Sequence, residues 1–156
     1  MRYCLIKKVV SKMFGKLKNL FGGDSGIEIT APVAGKVVAL EDVPDPTFAQ
    51  GILGPGIAIE PAEGRIVAPA DGTVDVMFET GHAVSMTTAD GAELLIHVGI
   101  DTVQLEGKHY KACCKAGQQV KKGDVLIEFD PAAIKAEGYQ LSLIHISEPT
   151  RLRRIS

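Results

Sequence analysis

A chain of 156 residues that is 46% hydrophobic, 23% charged and 5% aromatic has the makeup of one globular domain. That makeup excludes disordered, collagen-like and disulfide-scaffold classes, and no run of about 18 apolar residues occurs that could span a membrane. The formal net charge of -2 hides a division: residues 1–23 carry six basic side chains and no acid, whereas residues 24–140 carry eight basic and eighteen acidic ones. Residues 141–156 hold Arg151, Arg153 and Arg154 against Glu148. An acidic body with a basic head argues against nucleic acid as the main partner.

In chain order, residues 5–21 read as a helix. Ile6, Val9, Val10, Met13, Phe14, Leu17, Leu20 and Phe21 fall in one arc of roughly 140°, with the lysines opposite. A basic amphipathic helix of this kind suits an anionic membrane surface. Docking on its own domain is the plain alternative, and a start at Met13 would leave a shorter but still amphipathic head. Gly22–Gly26 reads as a linker, so the head ends near residue 23 and the body runs over 24–140.

From Ile27 the rhythm changes to short strands with turn signals every 8–12 residues, which predicts an all-β sandwich or barrel. The expected strands are Ile27–Thr30, Gly35–Ala39, Gly56–Pro61, Arg65–Val67, Gly72–Val76, Ala83–Thr87, Glu93–Val98, Lys111–Ala112 running on through the two cysteines, and Val125–Phe129. Pro131–Glu137 alone within the body has a helical composition. The segment Ala31-Pro32-x-x-Gly35-x-Val37 recurs as Ala68-Pro69-x-x-Gly72-x-Val74, which suggests two related halves packed together. Cys4, Cys113 and Cys114 are odd in number, two of them adjacent, with no CxxC spacing. Reduced thiols in the cytoplasm are the expectation, and the head lacks the small-residue cleavage site of a secretory signal.

Two of the four histidines share a setting. His82 follows Thr80-Gly81 at the start of one apolar strand, and His97 lies near the end of the next, with Ala89-Asp90-Gly91 as the turn between. Paired as a hairpin, these strands would bring the imidazoles together. Two close imidazoles suit metal ligation, or phosphoryl transfer in which one neutral nitrogen attacks and its neighbour donates to the phosphoryl oxygens. Two satisfied core histidines are the remaining alternative. Gly81 and Gly99 would leave room for a phosphoryl group, and Thr80 and Asp101 could fix the ring tautomers.

The strings GIEITAPVAGKVVALEDVPDPTFAQGILGPGIAIEP, IVAPADGTV, ETGHAVSM, LLIHVGIDTVQLEG and VKKGDVLIEFD occur in this order from Gly26 to Asp130, within a resemblance that runs from about Ile27 to Tyr139. Together they resemble the glucose-family enzyme IIA component of the bacterial phosphoenolpyruvate-dependent sugar phosphotransferase system. The resemblance implies an antiparallel β-sandwich with an incomplete barrel of duplicated-hybrid-motif type. It implies a phosphoryl carrier that accepts phosphate from the phosphocarrier protein HPr and passes it to a cysteine on the IIB domain of a sugar permease. By the same resemblance His97 is the phospho-acceptor, His82 supports the phosphoryl group, Thr80 hydrogen-bonds His82, and Asp101 is a carboxylate beside the site. A shallow apolar docking ring would comprise Phe48, Ile52, Leu53, Phe78, Leu95 and Val103, with Gly99 beside it and an acidic rim that includes Asp45. Ser85 and Leu95 depart from the more aromatic versions of this ring. The basic head matches free-standing members that carry a lipid-binding helix, which would place the chain at the inner face of the membrane.

Other classes fare worse. A lysostaphin-like zinc peptidase needs HxxxD and a later HxH; His97 and Asp101 supply the first spacing, but no HxH exists. A biotin or lipoyl carrier needs a lysine at a hairpin tip in an MKM-like or DKA-like context, and none occurs. A regulatory binder acting in the unphosphorylated state stays open. No resident cofactor or metal is expected, although His82 and His97 could share a transient zinc with a partner's carboxylate. Finally, LSLIHISEPTRLRRIS at 141–156 lacks strand rhythm and resembles translated sequencing-adapter DNA. It is expected to lie outside the evolved domain, to leave the body without its last strand, and to give His145 no role.

Overall fold

The computed structural model describes residues 29–50 and 56–148. The chain builds ten strands within these residues: β1 (Gly35–Val38), β2 (Gly56–Pro61), β3 (Arg65–Val67), β4 (Gly72–Met77), β5 (Ala83–Thr88), β6 (Glu93–Val98), β7 (Tyr110–Ala112), β8 (Gln119–Val120), β9 (Val125–Phe129) and β10 (Leu143–Glu148). Seven form one sheet in the order β1-β2-β10-β6-β5-β4-β8, and three form a second in the order β3-β9-β7. The pairings are antiparallel, and the two sheets make an open sandwich, as the strand rhythm and the internal echo predict.

Alternation along the strands decides what faces the core. Leu94, Ile96 and Val98 of β6 are buried, while Glu93 is exposed and Leu95 and His97 are half-buried on the outer face. Val84 and Met86 of β5, Ile66 of β3 and Leu126 and Ile127 of β9 complete the same core from both sheets. Helix α1 (Pro46–Ala49) lies in the long β1–β2 connection. Helix α2 (Pro131–Ala136) starts at Asp130, whose side chain accepts from the Ala133 amide at 3.0 Å, and Pro131 fills the first turn where no amide is needed. It buries Ile134 completely.

The two echo segments bond each other reciprocally. The Thr30 amide donates to the Pro69 carbonyl at 3.0 Å and the Val67 amide to the Pro32 carbonyl at 2.8 Å. Thr30 therefore makes this crossed contact, and neither it nor Ile29 lies in the strand expected over Ile27–Thr30, whose first two residues lie outside the described ones. The strand expected to run through the cysteines stops at Ala112; Cys113 is half-buried and Cys114 buried, both as thiols, with the Cys114 thiol pushed up to about 11 by burial. Cys4 and the whole basic head lie outside the described residues.

The largest departure concerns the C-terminal segment. The body does not lack its last strand: β10 lies between β2 and β6, pairing Ile144 with Ala58 on one side and with His97 on the other. The reason is local. Residues 141–148 hold neither Pro nor Gly and mix Leu and Ile with short polar residues, so they can fill the backbone hydrogen-bonding sites that β2 and β6 both offer. The backbone of His145 pairs with Ile57 and Ile96, and Leu141 is buried in the main core.

Candidate functional site

The hairpin of β5 and β6 turns at Ala89–Gly91, closed by the Gly91 amide on the Thr88 carbonyl at 2.9 Å and the Ala92 amide on the Thr88 hydroxyl at 2.9 Å. Its register sets Ala83 opposite His97, so His82 enters one residue earlier, and its carbonyl accepts from the Val98 amide at 2.7 Å. The two imidazoles meet edge to face, with ring centroids 4.9 Å apart and planes at 81°. Phe78 stands against the other side of His82 at 5.5 Å and 63°.

His82 is 6% exposed and His97 half-buried. Burial pushes the His97 ring down to about 4, and the neighbouring His82 adds to that push. A backbone hydrogen bond with Gly99 and the carboxylates of Asp45 and Asp101 pull the other way without winning. Burial also lowers His82. Near neutral pH both rings are therefore uncharged, and each keeps a lone pair. The Thr80 hydroxyl pairs with Nδ1 of His82, which fixes that ring's orientation.

Gly99 ends β6 at φ 84°, and a Cβ there would collide with the methyl of Thr102, so only glycine lets the chain fold back beside His97. Asp101 follows at φ 56°, exposed, as the residue before a 3-10 turn over Thr102–Leu105. Phe78, against His82, and Val103, in the 3-10 turn after Asp101, are large apolar side chains open to solvent at 40% and 50% exposure. Leu95 sits differently: it packs in a minor cluster on the outer sheet face with Val43, Ala58, Val38, Leu40 and Ile100. Phe48 falls in α1, and its side chain, like Ile52 and Leu53, lies outside the described residues. Asp45 opens α1, its carboxylate accepting from the Thr47 amide at 2.8 Å while its field reaches His97.

Sequence reasoning passed over three residues here. Val76 is 46% exposed because a bulge between Val74 and Val76 puts Asp75 and Val76 both outward, whereas strict alternation would turn both valines inward. Thr102 and Tyr110 donate to the Val98 carbonyl at 2.6 and 3.0 Å. Only the threonine carries a signal in the sequence, through its place in the GIDTV string. Among the described residues no group of three or more His, Cys, Asp or Glu could hold a metal ion, so two imidazoles are all that a borrowed zinc would find.

Residues 27–151 match the family described as phosphoenolpyruvate-dependent sugar phosphotransferase system, EIIA 1, a span that runs past β10. The glucose-specific EIIA component of Staphylococcus epidermidis is 48% identical over 119 residues, covering 76% of this chain and 70% of that protein. The β-glucoside-specific EIIBCA component of Dickeya chrysanthemi is 52% identical over 112 residues, 72% of this chain but only 18% of that much longer protein. Among solved structures, the glucose permease IIA from Mycoplasma capricolum superposes with a TM-score of 0.71 at 33% identity, covering 78% of this chain and 79% of that one. With the open sandwich and the paired imidazoles, these matches show that the chain belongs to the EIIA family of the sugar phosphotransferase system, as a phosphohistidine-carrier domain of the glucose type.

Proposed function

We propose that His97 is the phospho-acceptor, taking the phosphoryl group from phospho-HPr and yielding it to a cysteine on the IIB domain of a sugar permease. The observation that carries this reading is the 4.9 Å face-to-edge pair of imidazoles, with burial holding His97 near 4. A neutral His97 nitrogen attacks phosphorus with its lone pair, and the bond from phosphorus to the donor breaks, leaving its electron pair on the donor. With the Thr80 hydroxyl donating to Nδ1, His82 carries its proton on the other nitrogen and offers it to the phosphoryl oxygens. In the second step the IIB thiolate attacks phosphorus, and His97 recovers its lone pair. Asp101 and Asp45 lend the rim a negative field that suits a basic donor, and Phe78 and Val103 offer the apolar contact.

The test is incubation with phosphoenolpyruvate, enzyme I and HPr, followed by mass measurement of an acid-labile adduct. His97→Gln is expected to abolish labelling, whereas His82→Gln accepts phosphate but passes it to IIB roughly 100-fold more slowly. Labelling of His97→Gln together with loss of labelling in His82→Gln would reverse the two roles.

Residues 1–23 support a further part of this reading, a peripheral position on an anionic membrane at its cytoplasmic face. No helix among the described residues is long and apolar enough to cross a membrane, so attachment would rest on the basic amphipathic head. Sedimentation with anionic and neutral liposomes checks it, and equal binding to both would remove its electrostatic basis.

A further inference from the structure

Both backbone groups of Val98, the residue after His97, are held. Its amide is fixed on the His82 carbonyl, and its carbonyl, in the Val98–Gly99 peptide, accepts two hydroxyls, from Thr102 at 2.6 Å and from Tyr110 at 3.0 Å. Thr102 is 0% exposed, and its methyl occupies the space that Gly99 leaves by having no side chain. Tyr110 reaches in from β7 in the small sheet, stacked on Phe129 at 6.3 Å and 26°, and its Cβ would stand 3.2 Å from a side chain placed on Gly81. Tyr110 thus stands beside the turn before His82 while its phenol bonds the Val98 carbonyl. The next residue along, Gly99, supplies the backbone hydrogen bond to the His97 ring.

We infer that Thr102 and Tyr110 are positioning residues for phosphoryl transfer, acting through the Val98 carbonyl and Gly99 to hold the His97 ring in the tautomer and orientation that present its attacking nitrogen. This rests on His97 as the acceptor. Neither side chain touches the phosphoryl group. Both instead fix the Val98–Gly99 peptide, whose rotation would displace Gly99, the ring's backbone partner. Two hydroxyls on one carbonyl make that peptide hard to turn, and they tie it to two different elements, the 3-10 turn and the small sheet.

Thr102→Val keeps the shape and loses the donor, whereas Thr102→Ser keeps the donor. With one neutral hydrogen bond lost, the phosphorylation rate at saturating phospho-HPr is expected to fall about fivefold in Thr102→Val. The half-saturating donor concentration stays unchanged, and nitrogen NMR shows a mixed His97 tautomer population. Thr102→Ser stays close to the parent in both. Should Thr102→Val fail to fold, Tyr110→Phe provides the same test, since the ring stack on Phe129 survives. The inference is overturned if the donor-less variant transfers at the parent rate, if Thr102→Ser loses as much as Thr102→Val, or if the rate falls while the tautomer population is unmoved. A parent protein that takes no phosphoryl group at all would instead defeat the acceptor assignment.

Discussion

The two halves marked by the Ala-Pro-x-x-Gly-x-Val echo share a backbone plan and differ in what they carry. In both, a strand opens on a glycine pressed against a carbonyl of its neighbour: Gly35 on Glu60, Gly72 on Thr87. In both, the strand pairs antiparallel with the next one in the chain, β1 with β2 and β4 with β5. The connection is what differs. Seventeen residues separate β1 from β2, including α1 and Asp45, whereas β4 passes to β5 through only Phe78–His82. The short link is the one that delivers Thr80 and His82, because a tight turn fixes a side chain better than a long excursion does. Duplication supplies the frame, and the paired imidazoles belong to one copy, with the other contributing the Asp45 carboxylate whose field reaches His97.

The most disruptive way to probe this equivalence is to fill the glycines. Gly35→Ala and Gly72→Ala each place a methyl group against a backbone carbonyl, and each is expected to cost about 3 kcal/mol in denaturant unfolding. Only Gly72→Ala should also slow phosphoryl transfer per folded molecule, since β4 leads directly into the His82 turn. A neutral Gly35→Ala beside a damaging Gly72→Ala would break the structural parallel.

A smaller effect separates the halves by pH. His97 titrates at about 4 when folded against an ordinary 6.5, so between these values the unfolded chain binds a proton that the folded chain refuses. Stability then falls as pH drops from 6.5 toward 4 and levels off below, by at most about 3 kcal/mol from this group. Chemical denaturation across that range should show a shallower loss in His97→Gln than in the parent. Equal slopes would mean that the ring is not desolvated.

The smallest effect belongs to the first half's contribution. Asp45→Asn removes a charge that raises His97, so the ring should titrate still lower by NMR. Association with phospho-HPr should be slower than the parent's at low salt, and the difference should vanish at high salt as screening removes the parent's advantage. An unchanged His97 titration would detach the first half from the site.

Much of this was legible before any coordinates. Gly56–Pro61, Arg65–Val67, Glu93–Val98 and Val125–Phe129 coincide with observed strands, because each is a short β-branched or apolar run bounded by turn residues. The hairpin follows from Ala89-Asp90-Gly91, and the proximity of His82 and His97 follows from the hairpin. What escaped were features that only tertiary pairing decides. Gln119–Val120 is too short to show a rhythm, the bulge at Val76 is invisible to a period of two, and β10 depends on a slot between strands far apart in sequence. The packing of half-buried Leu95 beside Val38, Leu40 and Val43 likewise comes from a segment far away in sequence.

The place of β10 also sets an order of events. On the hydrogen-bonding map, β2 joins the histidine hairpin through a strand that ends at residue 148, so during synthesis from the N-terminus the two halves of the large sheet remain separate ladders until the last of these residues has left the ribosome. Through that interval β6 pairs with β5 and β2 with β1, while the edges that β10 later fills stay open. Long-range closure of this kind is slow and leaves two strand edges available to other chains. The insertion that completes the sheet beside His97 is therefore the last pairing the nascent domain can make.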